Sequence, residues 1–236
     1  MSPIASNLQA VHQQIVRAAN AAERPPDGVR LLAVSKTFGA DAVLQAWRAG
    51  QLAFGENYLQ EALDKIAAVA AAQADAAPEW HFIGPIQSNK TRPIAEHFAW
   101  VHSVEREKIA RRLSEQRPAH LPALNLCLQV NVSGEASKSG AAPEQAADIA
   151  RAIAALPRVR LRGLMAIPAP SDDPAEQRAA YRPLRVLFDR LNAEGMALDT
   201  LSMGMSGDLA AAIAEGATIV RVGSAIFGPR PSGSAD

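Results

Sequence analysis

A regular alternation of short strand-like runs with longer amphipathic stretches constrains this chain more than any other feature. Strand-like runs recur at 29–35, 52–55, 80–84, 100–104, 124–132, 161–167, 200–203 and 218–222. Helix-like stretches lie between and after them, at 41–49, 58–71, 89–97, 105–116, 143–155, 174–194 and 208–214. Strands joined through helices run parallel. Eight of them predict a closed (β/α)8 TIM barrel, an α/β fold of about 250 residues. Apolar spacing at Leu8, Val11 and Ile15 adds a leading helix over 4–19. Pro143 and Pro174 stand where a first helical turn tolerates proline, and Gly50, Gly195 and Gly216 follow helix ends. An open doubly wound sheet would need a glycine-rich dinucleotide turn after the first strand. Here that turn reads Lys36-Thr37-Phe38-Gly39.

The 236 residues, 48% hydrophobic, suffice for one core, and no Pro-, Gly- or Ser-rich linker divides them. The expectation is a single domain over 1–236, with 228–236 a frayed tail. Twenty-four basic residues balance 24 acidic ones, so no overall field favours nucleic acid or an anionic membrane. There is no signal-peptide h-region near the N-terminus and no uninterrupted apolar run of roughly 18 residues. The single cysteine, Cys127, permits no intrachain disulfide, reads as a buried strand residue and suits a reducing cytosol. A cytoplasmic monomer is expected.

Barrels of this kind build their sites where the C-terminal ends of the strands meet. Lys36 ends the first strand-like run, Gly55-Glu56-Asn57 the second, and His81 to Pro85 the third. His102-Ser103, Asn131 and Met165 to Pro168 follow in turn. A lysine at a buried strand end loses hydration, which favours the neutral amine and lets it attack a carbonyl. After the last two strands, Ser206-Gly207-Asp208 and Gly223-Ser224-Ala225 each read as a helix-opening turn. Their N–H groups and the Ser206 and Ser224 hydroxyls suit a phosphate. A Schiff-base lysine facing a phosphate grip fits an aldehyde that carries a phosphate. Pyridoxal 5'-phosphate is one such aldehyde, and the phosphorylated sugar of a lysine-type aldolase is the rival. Arg221, two residues before Gly223, points into the mouth on the same strand face. Against a pyridine nitrogen it would keep that nitrogen unprotonated and weaken the ring as an electron sink.

Several stretches together resemble one family. They are Ala33-Val34-Ser35-Lys36, Phe54-Gly55-Glu56-Asn57-Tyr58, Trp80-His81-Phe82-Ile83-Gly84 with Gln87-Ser88-Asn89-Lys90, Gly163-Leu164-Met165, Leu201 to Ser206, and Val220 to Gly228. In order, they are similar to the pyridoxal phosphate homeostasis proteins, relatives of the N-terminal barrel of alanine racemase. The resemblance runs over about 4–228. It implies Lys36 as the aldimine lysine, Arg221 near the pyridine nitrogen, Ser206, Gly223 and Ser224 on the phosphate, and Asn57 beside the ring. Ser224 stands where the family often has threonine and keeps the hydroxyl. The function implied is storage of the cofactor and its transfer to recipient apo-enzymes, in vitamin B6 homeostasis, with little or no catalysis.

A pyridoxal-phosphate-dependent amino-acid racemase is the alternative. Two-sided proton transfer then needs a second acid/base group. Tyr58, near the mouth, is the tyrosine to watch, while Tyr181 falls on the outer ring. His81 and His102 read as hydrogen-bonded barrel histidines able to line the mouth. The five histidines show no metal-ligand spacing. Lys90 and Lys138 read as hydrated amines, and Glu56 as a group that orients its neighbours or caps a loop.

Overall fold

A computed structural model describes residues 2–72, 77–134 and 139–229. Eight parallel strands close into a barrel in sequence order. They are β1 (Arg30–Val34), β2 (Ala53–Glu56), β3 (Glu79–Phe82), β4 (Trp100–Val104), β5 (Leu124–Gln129), β6 (Val159–Met165), β7 (Thr200–Ser202) and β8 (Ile219–Val222). Closure pairs β1 with β8, setting Leu32 beside Arg221 and Ala33 beside Val222. Among the described residues, closure leaves none of these eight strands with a free edge.

Around the strands run α1 (Pro3–Ala21), α2 (Ala40–Arg48), α3 (Leu59–Ala72), α4 (Thr91–His97), α5 (Glu107–Gln116), α6 (Pro143–Ala154), α7 (Pro174–Ala193), α8 (Leu209–Ala214) and α9 (Ser224–Phe227). The leading helix α1 buries Leu8, Val11, Ile15 and Ala19, one apolar stripe. Asn7 of this helix donates to the Ile226 carbonyl (2.9 Å), and Arg24, just past its end, donates to the Ile213 carbonyl (2.7 Å), which ties this segment to the last helices. The chain leaves α8 through Gly216, whose φ of +102° lies in the left-handed region open to glycine.

Side chains alternate along each strand. One set, including Leu31, Ala33, Phe54, Phe82, Val101 and Val220, packs against the helices in a continuous apolar sleeve. The other set fills the lumen. There Leu32, Ala53, Ile83 and Ile219 form one small cluster, and Trp100, Cys127 and Met165 another. The remaining lumen is polar, with His81, His102, Ser202 and Arg221 all buried. Cys127 is buried as expected, and burial pushes its thiol up to about 12, so it stays protonated. Among the described residues, no helix is long and apolar enough to cross a membrane, and no group of side chains is arranged to hold a metal ion.

Candidate functional site

One cavity of about 430 Å³ opens at the C-terminal mouth of the barrel. That volume suits a small organic ligand. Lys36, Asn57, Ser206, Arg221, Gly223 and Ser224 all line it. Its apolar walls include Val34, Phe38, Ile83 and Ile167.

Lys36 does not end the strand itself. β1 stops at Val34, and Lys36 lies two residues on, half-buried, in a turn closed by the Phe38 N–H on the Ser35 carbonyl (3.1 Å). The next residue, Thr37, has φ +68°, an unfavourable conformation for a β-branched side chain. A buried ion cluster holds this turn. Lys65 Nζ donates to the Ser35 carbonyl (2.8 Å), Glu56 Oε1 (2.6 Å) and Glu61 Oε1 (2.9 Å), which uses all three of its protons. Ser35 Oγ donates to Glu56 Oε1 (2.5 Å) and the Thr37 N–H to Glu61 Oε1 (2.7 Å). Burial pushes the Glu56 carboxyl above the usual carboxylate range, against the pull of Lys65 and Ser35. Glu56 therefore braces the lysine turn through Ser35 and Lys65, the first of the two roles its place in the sequence left open. Nothing in the sequence marks Lys65 apart from other helical lysines.

Asn57 follows β2 directly. Gly84 permits this, because a Cβ there would sit 2.0 Å from the Asn57 carbonyl oxygen. The Asn57 Oδ1 atom is buried with no hydrogen-bond partner.

The two serine turns differ in detail from their sequence reading. The second opens a helix as expected, with Gly223 preceding α9. In the first, Ser206 to Asp208 form a turn ahead of α8, which starts at Leu209. Among the described residues, no backbone acceptor takes the N–H of Ser206, Gly207, Ser224 or Ala225. Asp208 braces the first turn: Oδ1 accepts from the Met205 N–H (2.6 Å) and Oδ2 from the Tyr181 hydroxyl (2.7 Å). Tyr181 does lie on a helix of the outer ring, yet its side chain is fully buried and reaches this turn. Its spacing with Leu184, Leu187 and Leu191 signals the burial, but nothing local signals Asp208.

Arg221 lies at the base of the cavity, 4% exposed. Nη1 donates to Ser202 Oγ (2.8 Å) and Nη2 to the Ala166 carbonyl (3.0 Å). Desolvation lowers its pKa, while Tyr181, Asp208 and Cys127 favour the charged form. His81 and His102 do not line the cavity. They lie in the lumen, because β3 and β4 turn them inward rather than upward. Tyr58 is exposed and outside the cavity lining, as is Lys90, and Lys138 falls outside the described residues.

A partly buried amine, a buried guanidinium, hydroxyls and unclaimed N–H groups thus surround an apolar slot. This donor set fits a flat ring that carries an aldehyde and a phosphate.

The fold and this site belong to a recognisable class. Residues 6–231 match the family model of the alanine racemase N-terminal domain. Within that class, a pyridoxal phosphate homeostasis protein of Pseudomonas aeruginosa is 63% identical over 99% of both chains. Its Escherichia coli K12 counterpart is 51% identical over 98% of both. The chain therefore belongs to the family of pyridoxal phosphate homeostasis proteins. Among solved structures, PipY of Synechococcus elongatus with pyridoxal phosphate bound superposes with a TM-score of 0.83 at 36% identity, covering 95% of this chain and 100% of PipY. Alanine racemase of Corynebacterium glutamicum shares the fold (TM-score 0.71, 17% identity), and the match covers 99% of this chain and 62% of that enzyme.

Proposed function

We propose that this protein stores pyridoxal 5'-phosphate on Lys36 and releases it to recipient apo-enzymes in the cytosol, with little or no turnover of its own. One observation carries this reading: Lys36, Arg221 and both serine turns converge on a single cavity. Lys36, whose amine reaches the cavity, would hold the cofactor through its aldehyde carbon. Ser206, Ser224 and the unclaimed N–H groups near Gly223 hold the phosphate. Asn57 flanks the ring. When bound, the cofactor supplies an electrophilic aldehyde and a conjugated ring. Arg221, a buried cation that only donates, would hold a ring nitrogen placed against it as an acceptor and so blunt electron withdrawal.

The racemase alternative has less support. Proton transfer on two ring faces calls for an acid/base group opposite the lysine. Among the described residues, the cavity lining contains no tyrosine or histidine.

Absorption spectra of the purified protein and of Lys36→Ala test the proposal, taken before and after adding pyridoxal phosphate and then D- or L-alanine. The expected result is a visible band in the wild type alone, with no racemised alanine. Racemisation at useful rates would make the protein an enzyme. A wild type with no band returns Lys36 to an aldolase role.

A further inference from the structure

A continuous hydrogen-bonded line crosses the barrel lumen beneath the cavity. Arg221 Nη1 meets Ser202 Oγ at 2.8 Å, and Ser202 Oγ meets His102 Nδ1 at 2.7 Å. His102 Nε2 lies 2.8 Å from His81 Nδ1, and His81 Nε2 2.8 Å from Glu79 Oε1. Glu79 stands at the start of β3, at the opposite end of the barrel, and also pairs with Arg30 (2.7 Å).

The proton order along this line follows from its two ends. A guanidinium only donates and a carboxylate only accepts. Ser202 Oγ therefore accepts from Arg221 and passes its own hydrogen to His102 Nδ1. His102 must carry its proton on Nε2 and donate to His81 Nδ1. His81 in turn donates from Nε2 to Glu79. The reverse order would set a bare imidazole nitrogen against the carboxylate and leave the serine hydrogen unused. Two neutral imidazoles fit this order, and burial lowers the pKa of both. Every lone pair in the line faces Arg221, and every hydrogen faces Glu79. The aligned dipoles favour a cation at one end and an anion at the other. Among the described residues, no carboxylate makes an ion pair with Arg221 directly.

We propose that Glu79 is the remote charge partner of Arg221, and that Ser202, His102 and His81 are positioning residues holding the guanidinium at the floor of the cavity. Other charged or titratable groups near the line are Arg30 at Glu79, Arg162 stacked on Trp100 beside His81, and Asp208, Tyr181 and Cys127 around Arg221. The consequence for a bound ring rests on the cofactor reading above; the proton order does not.

Two measurements test it. In ¹⁵N-histidine-labelled protein without cofactor, NMR at pH 7 should show His81 and His102 as neutral Nε2–H tautomers. An imidazolium or an Nδ1–H tautomer at either residue overturns the inference. Second, pyridoxal phosphate is titrated into wild type, Ser202→Ala, Ser202→Thr and Glu79→Gln, following the absorption band and its pH profile. Ser202→Ala should raise Kd roughly tenfold, the effect of one hydrogen bond to a charged group. It should also move the pH profile, and Ser202→Thr should restore both. Glu79→Gln keeps an acceptor for His81 but removes the charge, so it should move the profile in the same direction. A merely structural line would lower Tm and leave the profile of every variant unchanged, which overturns the inference. A wild type with no band at all refutes the cofactor reading instead. The tautomers, and their loss in Ser202→Ala, then decide this inference alone.

Discussion

The sleeve between strands and helices and the lumen inside the strands are built from the same eight segments, yet they follow opposite rules. Sleeve residues such as Phe54, Ile94, Ile109, Leu113 and Leu184 are fully buried and apolar. Their contribution depends on volume and area, so it has no direction. The lumen is narrower and holds a line of polar groups in which each donor has one acceptor. There a single lost atom leaves a neighbour unsatisfied. Stability resides in the first region and the charge of the site in the second. The sleeve becomes ionic where Lys65 and Glu56 meet behind the Lys36 turn, a stretch of backbone that must hold the positive-φ residue Thr37 in place.

That exception offers the strongest way to break the comparison. Lys65→Met should strand the Glu56 carboxylate, 0% exposed, and cost about 3–5 kcal/mol. Adding Glu56→Gln should recover much of the loss, since the amide still accepts from Ser35. Urea denaturation of the two variants checks this. Equal stability of the single variant and the wild type would show that the pair contributes nothing.

A plain sleeve substitution comes next. Leu113→Ala should cost about 2–5 kcal/mol through the cavity it leaves. Pyridoxal phosphate affinity, measured at 25 °C well below Tm, should not change. A clear fall in affinity would mean that the two regions are not separable.

The smallest effect is set by pH and belongs to the lumen. Burial holds His81 and His102 below their ordinary pKa in the folded chain, so only the unfolded chain takes up their protons near pH 6. Stability should be unaffected by them above about pH 6.5 and fall below it, by at most about 1.4 kcal/mol per pH unit for each histidine. The loss continues until the pH reaches the folded values. Glu79, drawn down to about 2 chiefly by its bond with His81, acts in the same sense only at lower pH, below the ordinary carboxylate range. Urea midpoints at pH 7.5 and 5.5 test the histidine effect, and an unchanged midpoint would contradict it.

The strands and helices were legible because their signals are local. The stripe of Leu8, Val11 and Ile15 and the strand alternation survive without any knowledge of neighbours, and their ends shift by only a residue or a few. The run at 124–132 shows the limit: β5 ends at Gln129, because beyond it only Val130 keeps a single bridge, to Ala141. The mouth residues were legible for a related reason. A parallel barrel places every strand end on one side, so Lys36, Asn57, Ser206, Arg221, Gly223 and Ser224 had to share a face once the eight strands were recognised.

By itself, the sequence determined the barrel, its strand order and the chemical inventory of the mouth, through periodicity and position along the chain. Only the tertiary structure decided who bonds to whom. Lys65 meets Glu56, Tyr181 meets Asp208, and His102 meets Ser202 a hundred residues away. Such partnerships depend on register and closure, here Leu32 beside Arg221 across the β1–β8 seam. Hydrogen bonds tolerate errors of only a few tenths of an ångström, so local pattern cannot anticipate them.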